Sequence, residues 1–327
     1  MRVLLTGGNG FVGSHILDAL RAHDLAVRLL LRRTSDTTFI REHLSHVEVC
    51  RGAFNNAAAL DTALEGMEVL IHCAGKTKAV RVGEYYEANH LATRNLVAAA
   101  NQHQATLRQF ILISSLAAVG PATAASPARE EDIPHPVSDY GRSKHLGEAE
   151  VREHCRVPFT ILRPAAVFGP RDRDFLLTFR LLRWRLMPLL DGGRMAFSHI
   201  YACDLAAATL AVLGRTVTFG KTYHVAHPQP CTNREFLEEI AAQMHVRAVS
   251  CPLPLRAVYP LCLAQELAAG LTGKPSILSR QKLAELAAAG WVCSVERLRT
   301  DIGFVAPTSL QEGVKMTLHW YQIHGWL

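Results

Sequence analysis

The feature that most constrains this chain is a join near its start. A short apolar strand, Val3–Leu5, runs into a glycine-rich turn, TGGNGFVG at 6–13, which opens a helical stretch, GSHILDALRAH at 13–23. Closely spaced glycines after a strand permit a tight turn and let the backbone approach a phosphate. The helix start that follows supplies unpaired N–H groups and partial positive charge. The turn fits two registers: Gly8, Gly10 and Gly13 spell G-x-G-x-x-G, and Gly7, Gly10 and Gly13 spell G-x-x-G-x-x-G. Both are loops that cradle a dinucleotide's phosphates, and both belong to a strand–turn–helix unit of a parallel sheet.

The rest of the first half supplies that sheet. Apolar strand candidates lie at 3–6, 26–31, 47–50, 68–73, 110–114 and 159–163, separated by helical patterns such as 59–66, 89–103 and 140–154. Strands that are apolar throughout, alternating with helices, predict an α/β fold: a doubly wound parallel sheet covered on both faces. Beyond about residue 170 the alternation breaks into Leu- and Arg-rich helical stretches, short strands such as KTYHV (221–225) and prolines. The expected organisation is a dinucleotide-binding domain over 1–170 and a smaller, mostly helical C-terminal substrate domain over 171–327. Segments near 195–226 are expected to return to the first domain.

Composition excludes several classes. No uncharged apolar run reaches the length of a membrane span. Strand residues begin at Arg2, so no leader is expected. The eight cysteines show neither a C-x-x-C pair nor zinc spacing. No metal site is therefore expected, and a reduced, cytoplasmic setting is. The net charge of +6 is scattered except for RDRDFLLTFRLLRWR at 171–185, and no basic patch interleaved with aromatics suggests nucleic acid. That basic, Trp-bearing segment has two readings, a solvated face or a contact with a membrane surface.

Two further motifs carry chemistry. After the second strand candidate, where an NAD site usually places an acidic residue, stand Arg32 and Arg33. Two cations there suit a 2′-phosphate and point to NADP(H), with NAD(H) possible. Tyr140 and Lys144 form Y-x-x-x-K, one turn apart on one helix face. An ammonium beside a phenol favours its ionised form and so makes tyrosine a usable acid–base group. Ser114 and Ser115 end the strand FILIS, at the carboxyl edge where doubly wound sheets bind ligands.

With TGGNGFVG, HCAG at 72–75, Asn89 in EANHLATRNL, SSLAAVG at 114–120, YGRSK, LRPAAVFGP at 162–170 and IYACDLA at 200–206, the chain resembles the extended short-chain dehydrogenase/reductases. These form the NAD-dependent epimerase/dehydratase superfamily, with its Rossmann fold. CPLPLRAVYPLCLAQELAAGLTGKP and SVERLRTDIGF resemble the branch of 3β-hydroxysteroid dehydrogenase and dihydroflavonol reductase, with its proline-led helix and Gly-x-Pro segment. The resemblance selects Gly7, Gly10 and Gly13 as the working register. It implies that Ser115 bonds the substrate oxygen, Tyr140 transfers the proton, Lys144 tunes Tyr140 and holds the nicotinamide ribose, and Asn89 is the active-site asparagine. Ser114 is expected to bond its own backbone.

Cofactor contacts implied by the resemblance are Phe11, Val12, Arg32, Arg33, Cys73, Ala74, Gly75, Pro164 and Val167, besides the three glycines, Tyr140 and Lys144. Where the family has Gly-Asp, this chain has Gly52–Ala53, so the adenine is expected to rest on the backbone at Ala53 and on Phe54. Substrate contacts are expected at Lys76, Ser115, Leu116, Ala166 and Arg171, and Arg163 and Arg173 sit where the family places others. No acidic residue follows Ser115 in SSLAAVGP, which argues against a dehydratase. The implied activity is hydride transfer between NADP(H) and a carbonyl or secondary alcohol of a hydrophobic substrate, steroid-, flavonoid- or 3-oxoacyl-lipid-like. A nucleotide-sugar epimerase with bound NAD and a non-catalytic dinucleotide-binding scaffold or redox sensor are the alternatives. A homodimer through the helices bearing Asn89 and Tyr140 is implied. The apolar stretches 176–190 and 253–271 read either as a lid over a greasy pocket or as ordinary core.

Overall fold

The computed structural model describes residues 1–273 and 279–327. The Lys-Pro pair of the Gly-x-Pro segment lies outside the described residues. Seven parallel strands form the central sheet. They are β1 (Arg2–Thr6), β2 (Ala26–Leu31), β3 (Glu48–Arg51), β4 (Val69–His72), β5 (Gln109–Ile113), β6 (Phe159–Pro164) and, beyond several short strands, Lys221–Val225. The last pairs with β6, and the spatial order runs from it through β6, β5, β4, β1 and β2 to β3. The chain reverses its winding between β1 and β4, and the carboxyl ends of those two strands frame the crevice where such sheets bind ligands.

Helices α1 (Phe11–Ala22), α2 (Ala57–Leu64), α3 (Gly83–Tyr86), α4 (Ala92–Gln102) and α5 (Asp139–His154) follow the strands. Val3, Leu5, Leu29 and Ile71 point to one face of the sheet, against Ile16, Leu17 and Leu20 of α1. Leu4, Leu70 and Phe110 point to the other, against Leu60, Leu96 and Val151. This double burial explains why the strands are apolar throughout. A π-helical turn, Glu87–Leu91, joins α3 to α4 and carries Asn89.

The second half contributes α6 (Leu176–Arg183), α7 (Ala202–Ala211), α8 (Asn233–Gln243), α9 (Leu255–Thr272), α10 (Arg280–Leu286), α11 (Glu296–Ile302) and α12 (Leu310–Ile323). Leu176, Phe179 and Leu182 of α6 bury against Phe236 and Ile240 of α8 and Val314 and Tyr321 of α12. The apolar stripe of α6 is therefore core, and only its flanks, Leu177 and Trp184, are exposed. α12 opens on a reciprocal cap between Ser309 and Glu312. Among the described residues no helix is long and apolar enough to cross a membrane.

One buried ion pair ties α5 to the sheet. Arg163 of β6 is 1% exposed and donates from Nε and Nη2 to the two oxygens of Glu148, at 2.9 and 2.8 Å. This corrects the reading of Arg163 as a substrate contact: the guanidinium is consumed inside the protein. Ser114 Oγ donates to Glu148 Oε1 at 2.5 Å rather than to its own backbone, and Arg152 adds a third donor. Burial alone would raise the Glu148 pKa. The bonds and charge of Arg163, then Arg152 and Ser114, overcome it and hold the carboxyl down at about 2.

Removing one partner of such a pair leaves the other charge stranded, so Glu148→Gln is expected to lower stability by about 3–5 kcal/mol in urea unfolding. Because the folded pKa is depressed below an ordinary glutamate value of about 4.3, this contribution is complete above that pH and is lost as pH falls towards the folded value. The gap between the native chain and Glu148→Gln should close over that window. An unchanged gap at low pH would show that Glu148 does not carry it.

Candidate active site

A cavity of about 1440 Å³ opens at the carboxyl edge of the sheet and extends between the two halves of the chain. It exceeds the ~300–1,000 Å³ of a site for one small ligand. Its volume is enough for a dinucleotide and a substrate together.

The glycine turn forms one wall. Gly7 has φ +71, and a Cβ there would lie 2.5 Å from the Ala74 nitrogen. A Cβ on Gly13 would lie 2.0 Å from the Gly7 carbonyl oxygen. These two glycines let α1 and the end of β4 close on the turn. Gly10 caps α1 without any side-chain bond, which leaves the helix start open to an anion. A Cβ on Gly8 would meet only the side-chain ends of Leu29 and Leu5. The geometry thus separates the two glycine registers. Phe11 and Val12 line the cavity beside the turn, as do Cys73, Ala74 and Gly75 opposite. The residues present fit a dinucleotide: a cradle that side chains would fill, and a helix start with no cap of its own.

The adenosine end departs from expectation. Arg32 and Phe54 line the cavity, whereas Arg33 and Ala53 are exposed and do not. Phe54 stands edge-on to His72, with centroids 5.5 Å apart, and its carbonyl accepts from Asn95 Nδ2 at 3.0 Å. Asp36, Asn9, Asn55 and Arg94 also line this end and were not anticipated. Asp36 lies just past β2, and Thr38 donates to its carboxylate from both N and Oγ1, holding its pKa below the usual range. An acidic residue thus lines this end of the cavity from the loop after β2 and not from the strand end itself.

Ser115, Tyr140 and Lys144 meet on the cavity wall. Ser115 lies two residues past β5 and accepts from the Ala117 N–H, and its hydroxyl also bonds the Tyr140 phenol. Tyr140 and Lys144 project from the first turns of α5, whose start is capped by Ser138. Burial pushes the Tyr140 phenol up to about 12, the Ser115 bond works against this, and the Glu285 carboxylate adds to it. Lys144 Nζ donates to the Ile113 carbonyl at 3.0 Å. Burial lowers its pKa, opposed by Cys73 and Glu148. Beneath them, burial pushes the Cys73 thiol up to about 11.

Asn89 is buried and does not line the cavity. Its Oδ1 accepts from Lys76 N at 2.9 Å, and its Nδ2 donates to Lys76 O at 3.0 Å and to Ser143 Oγ at 2.9 Å. It clamps the loop after β4 to α5. The expected substrate contacts Lys76, Leu116, Ala166 and Arg171 all line the cavity, as do Pro164 and Val167. Arg171 donates to Asp18 at 2.7 Å.

The far end was not legible in advance. Phe175, Leu181, Pro188, Leu190, Phe197 and Phe236 line it, with Leu286 and Trp291. Its cations are matched: Lys76 with Glu84, Lys78 with Asp174, Lys282 with Glu285. Arg173 lies towards the dinucleotide end, 5.6 Å above the rings of Phe39 and Trp326. The stretch 176–190 therefore supplies both core and lining, whereas α9 supplies no lining at all.

The sequence profile of the NAD dependent epimerase/dehydratase family matches residues 3–226. The ceramide reductase of Caulobacter vibrioides is 31% identical over 328 residues, covering 99% of this chain and 96% of the relative. MoeE5 in complex with UDP-glucuronic acid and NAD superposes with a TM-score of 0.78 at 22% identity, covering 99% of this chain and 100% of that one. The UDP-glucose 4-epimerase of Thermus thermophilus, in complex with NAD, superposes with a TM-score of 0.77 at 22% identity over 98% and 99% of the two chains. These structures overturn the expectation of NADP(H), since the cofactor they hold is NAD. Of the two arginines behind that expectation, Arg32 lines the cavity and Arg33 does not, and the Asp36 carboxylate lines the same end.

The register of the glycines is testable without a substrate. Gly13→Ala and Gly7→Ala are expected to cost about 3 kcal/mol or more of stability, through backbone collision and, at Gly7, left-handed strain. Gly8→Ala meets only movable side chains and should cost about 1 kcal/mol. Thermal and urea unfolding of the three variants gives the order, and a Gly8 variant as damaged as Gly13→Ala would reverse the assignment.

Proposed function

The chain belongs to the NAD dependent epimerase/dehydratase family, and from that premise we propose that it is an NAD(H)-dependent reductase of a ketone on a lipid-like substrate. The observation that carries this reading is the far end of the cavity, where apolar side chains line the wall and the lysines are already ion-paired. A nucleotide sugar needs cations free to meet its diphosphate, and an acyl chain needs none. The full-length ceramide reductase relative supports the same class, and of the three hydrophobic classes expected it favours the lipid. On likeness of fold, the nucleotide-sugar epimerases are better represented among the similar structures. A 4-epimerase with retained NAD is therefore the second reading.

In the proposed site, the open start of α1 and the turn at Gly7, Gly10 and Gly13 hold the pyrophosphate. Asp36 and Arg32 face the adenosine ribose, and Phe54 faces the adenine. When bound, NADH supplies the hydride. Ser115 orients the substrate oxygen by a hydrogen bond. Tyr140, neutral at physiological pH because burial raises its pKa, donates the proton as negative charge develops on that oxygen. A phenol held in its protonated form suits reduction better than alcohol oxidation. Lys144 is proposed to hold the nicotinamide ribose, and Asn89 acts as a positioning residue through the Lys76 backbone. A homodimer through α4 and α5 is part of the proposal.

Tyr140→Phe is expected to lower kcat about 10²–10⁴-fold while NADH binding is retained. In calorimetric titration NADH should bind about tenfold or more tightly than NADPH, and Asp36→Asn should narrow that difference. Turnover is followed by NADH absorbance across long-chain 3-oxo amides, 3-oxoacyl esters and UDP-sugars. Conversion of UDP-glucose without net NADH consumption would replace the reductase by the epimerase.

A further inference from the structure

α9 is a helix in the wrong place for its composition. Over 18 residues, LRAVYPLCLAQELAAGLT, it carries two charged side chains, Arg256 and Glu266, and Glu266 is bound to Arg280. A helix apolar all round is normally buried. Here only Val258, Cys262 and Ala269 are buried, the first two packing with Leu283 of α10. Tyr259, Leu261 and Leu263 are exposed, and Leu267 and Leu271 are 72% and 89% exposed.

The exposure continues into the neighbouring parallel ribbon, Leu186–Leu190 with Val249–Leu253, where Leu186, Val249 and Leu253 are exposed. Pro188 and Leu190 of the same ribbon line the substrate cavity. Leu177 of α6, a helix that packs on Leu186–Leu190, also lines the cavity and is 39% exposed. Arg185 and Arg247 stand together where the ribbon starts, the Arg185 carbonyl accepting from Val249 N at 2.8 Å. Arg183 and the 73%-exposed Trp184 adjoin them, and Arg256 flanks the other end at the start of α9. These four arginines are exposed and form no ion pair among the described residues.

We propose that α9, the ribbon and the four arginines form a docking surface for an anionic lipid bilayer, on which the protein sits with the cavity wall at Leu177 towards the membrane. The apolar face immerses at the boundary of headgroups and acyl chains, and the arginines and Trp184 lie at headgroup level. Apolar area with a rim of unpaired cations fits that boundary. A face closed by a second copy of the chain would set the four arginines of each copy near those of the other. This deepens the lipid reading above, and vesicle binding is measured without turnover, so the failure of one is distinguishable from the failure of the other.

The test is co-sedimentation of the full chain with vesicles of phosphatidylcholine alone and of phosphatidylcholine with phosphatidylglycerol in equal parts. The native protein should pellet with the anionic vesicles and release as salt is raised. L267E/L271E, which alters only exposed side chains, should bind about tenfold or more weakly with unchanged melting temperature and NADH affinity. R183Q/R185Q should lose the preference for anionic vesicles. Native protein that stays in the supernatant at low salt overturns the proposal, as does L267E/L271E that pellets like the native chain. A native dimer that L267E/L271E converts to monomer without lipid also overturns it, since a second copy would then cover the face.

Discussion

The buried carboxylate of Glu148 is the interaction on which the active-site geometry rests. Tyr140, Lys144 and Glu148 lie four residues apart along α5 and share its inward face. The first two face the cavity, and the third reaches across to Arg163 on β6 and Ser114 at the end of β5. Ser114 adjoins Ser115, so one carboxylate fixes the depth and rotation of α5 and the end of the strand that presents the serine. Taking two charges out of water costs several kcal/mol per ion, and a pair of apolar side chains would fill the space with less penalty. A bidentate pair is directional where an apolar contact is not. A helix free to turn by a fraction of its pitch would carry the phenol away from Ser115.

The dinucleotide half was legible because its signals are local. A strand, a turn and a helix start are contiguous, and Y-x-x-x-K follows from helical period alone. The six strands of the first half needed only apolar runs, since a doubly wound sheet buries both faces. The errors arose where a partner comes from far along the chain. Arg163 reads as a free cation at a strand end, and nothing nearby announces Glu148 on another element. The three bonds by which Asn89 holds Lys76 and Ser143 are equally hidden in the sequence, since they depend on a π-helical turn that no periodicity marks. Arg32 and Arg33 stand at the family's spacing from the glycines, whereas Asp36 lines the same cavity from the loop beyond.

The substrate half resisted for a related reason. Its lining is gathered from Trp291 and from α6, the ribbon, α8 and α10, each of these elements giving two or three residues while the rest of it packs elsewhere. Apolar periodicity in α6 is real, but it reports the core beneath the helix, and Leu177 and Leu181 escape the stripe. For α9 the ambiguity lay between lid and core, and the structure supports neither. Composition shows that a helix must bury apolar surface without showing against what.

The elements around the proposed membrane face are linked to the chemistry through α10. Val258 and Cys262 of α9 pack on Leu283, and on the same short helix Gln281 and Glu285 bond the start of α5, Gln281 to Asp139 and Glu285 to Ser138 Oγ at 2.7 Å. Ser138 is the cap of the helix that carries Tyr140 two residues later. Glu285 also contributes, after burial, to the raised pKa of that phenol. An excursion of α10 from the cavity would therefore take the Glu285 acceptor from the Ser138 hydroxyl, admit water to Tyr140 and remove a neighbouring negative charge. The last two changes lower the cost of ionising the phenol. In the proposed reduction, these contacts would thus keep the proton on Tyr140 until a substrate oxygen is there to receive it.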